Sequence, residues 1–223
     1  MISEGEASEL TYAAAARAVL PALDVEPPTT TSGGTDFGIL FDVFLSAGLS
    51  EGAAELITPS ALFELERATT NLEHLGRERE ALRGASTALA ALDDVGAMQS
   101  LVTGNSRPRA AAKLHAMGLS GCLDLRYGGF GDREQERWRL VATARALAGL
   151  ICFADEGVIV PGRTFVIGDT VHDVRAARDA GVIAVAVGSG STPIDTLAAE
   201  RPDLLIENLE AGLDELMFQV APR

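Results

Sequence analysis

The stretch Thr164–Gly181, TFVIGDTVHDVRAARDAG, constrains the fold of this chain more than any other segment. Thr164–Ile167 is short, apolar and rich in β-formers, which predicts a fully buried strand. Gly168 ends that run and Asp169 follows in the turn. Val174, Ala177 and Ala180 then recur at helical spacing until Gly181 stops the helix. One carboxylate thus sits at the carboxyl end of a strand, and a second, Asp173, near the start of the next helix. Ligands bind at that edge in open parallel α/β sheets. Two carboxylates converging there suit a hard cation such as Mg²⁺, which takes oxygen ligands and keeps several waters. The competing reading makes Asp169 a turn former and Asp173 a first-turn residue favoured by the helix dipole.

A chain of 223 residues with 47% hydrophobic residues can hold one α/β domain and a smaller second one. No apolar run reaches the roughly 18 residues a membrane span needs. No basic stretch precedes a long apolar one at the N-terminus, so the expectation is a cytoplasmic protein without a signal peptide or membrane segment. The net charge of −14 argues against a nucleic-acid backbone as partner, which needs a positive footprint. A small anionic substrate stays compatible, because a metal and a few arginines reverse the sign locally. Cys122 and Cys152 lie in apolar surroundings and read as buried thiols. His74, His115 and His172 are dispersed and read as surface or structural residues.

Helical periodicity covers about Ser8–Leu20, Asp36–Ala47, Glu51–Ile57 and Ser60–Glu80, with Pro27–Gly34 as a loop. Nothing between residues 8 and 80 reads as a strand. The expected organisation is a helical module over 1–80 followed by an α/β core over 81–223. In the core, Leu82–Asp93, Pro108–Met117, Glu134–Ala148, the segment ending at Ala180, Thr192–Glu200 and the C-terminus read as helices. Gln99–Thr103, Leu123–Tyr127, 164–167, Ile183–Val187 and Leu204–Ile206 read as strands. That alternation predicts a parallel sheet with βαβ crossovers.

Two further segments fall on the same edge. Leu101-Val102-Thr103-Gly104-Asn105 ends a strand with a hydroxyl, then opens the backbone before a helix. Such a turn either presents Thr103 and backbone N–H groups to a phosphoryl group or is an ordinary capped βα turn. Arg133, Arg137 and Arg139 follow Gly128–Asp132 on the next helix. A guanidinium from that helix suits a transferring phosphate, while for each one a solvated helix face is the alternative.

The order of a helical module, LVTGN, an Arg-bearing helix and VIGDTVHDVRAARDAG resembles the haloacid dehalogenase-like (HAD) hydrolases, in particular the phosphoglycolate-phosphatase-like branch. The resemblance spans nearly the whole chain and implies a HAD-like Rossmannoid parallel sheet with a helical cap. It implies a Mg²⁺-dependent phosphatase acting on a small phosphorylated metabolite through an aspartyl-phosphate. By the same resemblance Thr103, Gly104 and Asn105 hold the substrate phosphate and Arg137 bridges it, while Asp169 and Asp173 bind Mg²⁺. The family opens with a strand ending in DxDGT, whose aspartates are nucleophile and general acid/base. This chain has no DxDGT, and Met1-Ile2-Ser3-Glu4-Gly5 looks like the residues just after it. Asp24, Asp36 and Asp42 belong to the cap and sit at no strand end. The expectation is therefore a chain lacking the first, central strand, with a gap in the sheet that is closed imperfectly or filled in trans, and self-association through the unpaired edge. Such a chain is inactive for want of its nucleophile; the alternative is a non-catalytic HAD-like binding or scaffold protein. Cap-determined substrate choice leaves phosphoglycolate, other phosphomonoesters, sugar phosphates and a mutase reaction open.

Overall fold

The computed structural model describes residues 4–70, 81–153, 161–190 and 192–220. In chain order the elements are α1 (Glu4–Val19), α2 (Asp36–Ser46), α3 (Glu51–Thr70), α4 (Ala85–Asp94), β1 (Val102–Thr103), α5 (Arg107–Ala116), β2 (Gly129–Phe130), α6 (Arg137–Phe153), β3 (Phe165–Gly168), α7 (Val171–Asp179), β4 (Ile183–Val187), α8 (Ile194–Ala199), β5 (Leu204–Ile206) and α9 (Leu213–Val220). The chain divides into two units. Described residues up to Thr70, with 103–116 and 130–137, make one; 81–102, 117–129 and 138 onward make the other. The α/β class with a parallel sheet is as the sequence predicts.

In the first unit α1, α2 and α3 close on one apolar core. Leu40, Phe44 and Leu65 are fully buried there, with Tyr12, Ala16, Val43 and Leu62 around them. Thr35 caps α2, its hydroxyl accepting from Gly38 N at 3.0 Å. The sequence predicts two helices separated before Ser60, but α3 runs unbroken through Pro59. Proline removes one intrahelical bond and resists helix interiors. Here Ala54, Ala61, Leu62 and Leu65 bury on both sides of it, so tertiary packing holds the helix across the defect. The predicted continuation to Glu80, and His74 with it, lie outside the described residues.

In the second unit β3, β4 and β5 form a parallel sheet in that order. Phe165 pairs with Ile183 and Gly168 with Ala186; Val185 pairs with Leu204 and Val187 with Ile206. One face of this sheet packs on Val174, Ala177 and Leu197 and the other on Leu216. The burial of the strands corrects one expectation. The 164–167 segment does not make a fully buried strand: β3 is an edge strand among the described residues, and Ile167 is 37% exposed. β4, paired on both sides, is the strand whose residues from Ala184 to Val187 are buried.

β1 and β2 make a separate two-stranded sheet. Only Val102–Thr103 of the predicted Gln99–Thr103 strand is extended in a ladder. Leu123–Tyr127 is not a strand either. Asp124 accepts from Arg126 N at 2.9 Å and turns Leu125–Tyr127 into a 3₁₀ turn, so the strand begins later, at Gly129. A short-range side-chain bond has outcompeted the ladder. Cys122, expected buried, is exposed, because it lies in the irregular segment before this turn; the side chain of Cys152 is outside the described residues. Among the described residues no helix is long and apolar enough to cross a membrane.

Arg201 closes α8 with φ +54° and donates its N–H to Ala198 O at 3.0 Å. This left-handed position after a helix favours glycine. Arg201→Gly is expected to raise stability by about 0.5–1 kcal/mol, read as a higher urea midpoint at unchanged slope.

Candidate active site

The two groups of residues singled out by sequence fall in different units. Thr103, Gly104, Asn105 and Arg137 belong to the first, Asp169 and Asp173 to the second.

The Thr103–Ser106 turn is held from below by backbone. Asp36 N donates to Gly104 O at 2.7 Å, Phe37 N to Gly131 O at 3.0 Å, and Gly131 N to Asn105 O at 2.9 Å. Three segments meet so closely that side chains are excluded. A Cβ on Gly104 would stand 2.1 Å from Gly34 O, and one on Gly131 would stand 2.0 Å from Gly104 O. The entry to α2 is thus part of the turn's wall.

The turn is also anchored by charge. Asp36 is 2% exposed and Arg109 7%, and they form an ion pair. Tyr12 donates its hydroxyl to Asp36 Oδ1 at 2.5 Å and accepts from Arg109 Nη1 at 3.1 Å. Arg109 Nε donates to Thr69 Oγ1 at 2.9 Å, and Ser106 N to Asp36 Oδ2 at 2.7 Å. Burial, and after it the neighbouring Asp36 carboxylate, pushes the Tyr12 phenol well above the usual tyrosine range. Burial opposes the Arg109 charge, and Asp36 and Tyr12 more than offset it, holding that guanidinium above its ordinary value. Burial also pushes Glu66 up, against the hydrogen bond from Ser106 that lowers it.

Above this anchor lies a second chain of bonds. Lys113 Nζ donates to Asn105 Oδ1 at 2.6 Å, and Asn105 Nδ2 donates to Thr103 Oγ1 at 2.9 Å. The Asn105 backbone N–H reaches the same oxygen at 3.2 Å. Two backbone donors at the start of α5 are already occupied: Ser106 N by Asp36, and Arg107 N by Asp132 Oδ1 at 2.8 Å. Arg137 opens α6 half-buried, whereas Arg133 and Arg139 are exposed and Arg139 lies over the Trp138 ring at 5.3 Å.

The acidic turn follows β3. Thr170 caps α7 and exchanges bonds with Asp173 in a capping box: Asp173 Oδ2 accepts from Thr170 Oγ1 at 2.7 Å and from Thr170 N at 3.2 Å. Both aspartates are half-buried and lie against glycines. A Cβ on Gly168 would stand 2.5 Å from Asp173 Oδ2, and one on Gly190 would stand 1.8 Å from Asp169 Oδ2. Two carboxylates in glycine-lined space fit Mg²⁺, which is held by one or two carboxylates while keeping waters. No group of three or more potential ligands occurs among the described residues, so protein donors alone supply only part of such a shell.

Sequence reasoning missed Tyr12, Arg109 and Lys113, and placed Asp36 without a role. The signal for Asp36 was present in Thr35-Asp36 ahead of an apolar helical run, a capping pattern. Its partners lie 24 and 73 residues away and carry no local pattern.

A parallel α/β sheet with an acidic turn after β3, and a Thr-Gly-Asn turn ahead of α5, are features that the HAD-like resemblance implies. A family profile described as HAD-hydrolase-like matches residues 140–212, and over that stretch the chain is similar to the HAD-like hydrolases. It is 32% identical over 139 residues to a phosphoglycolate phosphatase from Synechococcus elongatus, covering 61% of this chain and 60% of that protein. It is 31% identical over 121 residues to a protein given the pyrophosphatase name PpaX from Caldanaerobacter subterraneus, covering 54% and 51%. The chain therefore spans between half and two thirds of these relatives. A hydrolase from Pseudomonas syringae shares the fold at a TM-score of 0.61 and 20% identity, over 96% of this chain and 93% of that one.

Removing one partner of a buried pair leaves the other charged and unpaired. Arg109→Met is expected to cost about 3–5 kcal/mol, and Arg109→Met with Asp36→Leu to recover most of it, both by urea denaturation. Tyr12 gives a pH test. Its folded pKa lies above the unfolded value of about 10, so its contribution is complete below that pH and lost as pH rises past it. The wild-type protein should lose stability in alkali more steeply than Tyr12→Phe.

Proposed function

We propose that this chain is the phosphate- and Mg²⁺-binding body of a HAD phosphatase for a small phosphomonoester. The observation that carries the reading is the acidic turn after β3, where Asp169 and Asp173 rest on Gly190 and Gly168 with no room for a Cβ. Within this reading Asp169 and Asp173 hold the ion, which when bound supplies charge for phosphoryl oxygens. Thr103 donates its hydroxyl to one phosphoryl oxygen, and Arg137 neutralises another. The kinship with a phosphoglycolate phosphatase supports a phosphomonoester as the substrate class.

The same reading makes the chain alone unable to turn its substrate over. Covalent phosphoryl transfer needs an attacking carboxylate, and the sequence holds no Asp-x-Asp-Gly-Thr. Asp36 does not replace it, because its oxygens are taken by Arg109, Tyr12 and Ser106. β3 pairs on one side only among the described residues, and the proposal is that an aspartate-bearing strand added at that edge completes the catalyst. A non-catalytic phosphate-binding protein is the second reading, favoured by the same missing motif.

Hydrolysis of p-nitrophenyl phosphate and calorimetric binding of inorganic phosphate, each with and without Mg²⁺, test this on the chain as it stands. Expected are no turnover above buffer and Mg²⁺-dependent phosphate binding that Asp169→Asn abolishes. Mg²⁺-dependent turnover lost in Asp169→Asn would show that a nucleophile is present, and would overturn the inactive reading.

A further inference from the structure

We propose that Lys113, the single lysine of the chain, is a positioning residue that fixes the Thr103 hydroxyl as a hydrogen-bond donor toward the phosphate, acting through the side-chain amide of Asn105. The inference deepens the proposed function and rests on its reading of Thr103 as a phosphate contact.

Donor and acceptor capacities fix how these three side chains are oriented. An ammonium group donates and does not accept, so the Asn105 atom 2.6 Å from Lys113 Nζ must be the carbonyl oxygen. That choice forces the amide nitrogen to the other side, 2.9 Å from Thr103 Oγ1. The Thr103 oxygen then accepts twice, from Asn105 Nδ2 and from the Asn105 backbone N–H. A hydroxyl has two lone pairs and one proton. With both lone pairs engaged, the proton points away from Asn105 and serves an acceptor outside this chain of bonds. A phosphoryl oxygen is such an acceptor. Without Lys113, the amide turns over at little cost, Asn105 Oδ1 faces Thr103, and the hydroxyl proton is spent inside the turn.

The requirement is sharper because the neighbouring donors are committed. Ser106 N serves Asp36 and Arg107 N serves Asp132, so the first N–H groups of α5 face the protein's own carboxylates. Thr103 carries more of the anion contact than it would on an open helix terminus.

Inorganic phosphate binding with Mg²⁺, by calorimetry, is compared among wild type, Lys113→Met, Lys113→Arg and Asn105→Leu. Losing a hydrogen bond to a charged group predicts about tenfold weaker binding for Lys113→Met, and Lys113→Arg, also a donor only, is expected within about twofold of wild type. Asn105→Leu keeps the lysine charge yet should weaken binding as much, and the double variant Lys113→Met/Asn105→Leu no further. Additive losses, or an unaffected Asn105→Leu, would mean that Lys113 acts by charge alone and would overturn the proposal. The ¹⁵N signals of the Asn105 side-chain amide, without phosphate, separate the two levels. They are expected to shift or broaden in Lys113→Met and to stay in Lys113→Arg. Unmoved signals in Lys113→Met overturn the relay. A wild type that shows the relay but binds no phosphate would instead sink the reading of Thr103.

Discussion

The buried Asp36–Arg109 pair is the interaction on which the first unit depends. It ties the amino end of α2 to α5, and through Tyr12 and Thr69 it reaches α1 and α3. Two charges out of water are favourable only when their remaining hydrogen-bonding capacity is met. Here both oxygens of Asp36 are engaged, and Arg109 has three partners. An apolar pair could pack the same volume but could not capture Ser106 N. The polarity of the anchor specifies which backbone group sits where, and so sets the geometry of the turn that begins at Thr103. Gly104 and Gly131 complete that specification by letting three backbones meet with no side chain between them.

Much of the second unit was legible because its signals are local. Ile183–Val187 and Leu204–Ile206 are found as read from apolar runs alone, and Thr170 with Asp173 announces the start of α7 by spacing. Errors arose where distant packing or a competing local bond decided the outcome. Pro59 reads as a break, yet the buried face of α3 overrides it. Leu123–Tyr127 has β-forming composition, yet Asp124 captures Arg126 N and curls the segment. The burial of β3 was overestimated because hydrophobicity reports what a strand can bury and not how many neighbours it has. The Thr103 turn was visible as a hydroxyl, a glycine and an amide; the Lys113 contact that orients the amide lies on the following helix and has no motif.

A helix amino terminus is commonly treated as an anion site because its first N–H groups lack partners. α5 shows how little that follows from position alone. Its leading donors, Ser106 N and Arg107 N, are satisfied by Asp36 and Asp132, so neither is open to an incoming phosphate. Favourable binding then needs positive charge and a donor that the protein itself cannot satisfy. Lys113 and Arg137 bring positive charge to the unit that holds the turn. Thr103 is the group whose lone pairs are filled while its proton is not. The dipole of α5 is thereby used to organise the turn, and under the proposed function the contact to the phosphate passes to a side-chain hydroxyl. On that proposal the site discriminates by geometry: it would favour an acceptor placed on the Thr103 O–H axis over any anion that merely approaches the helix end.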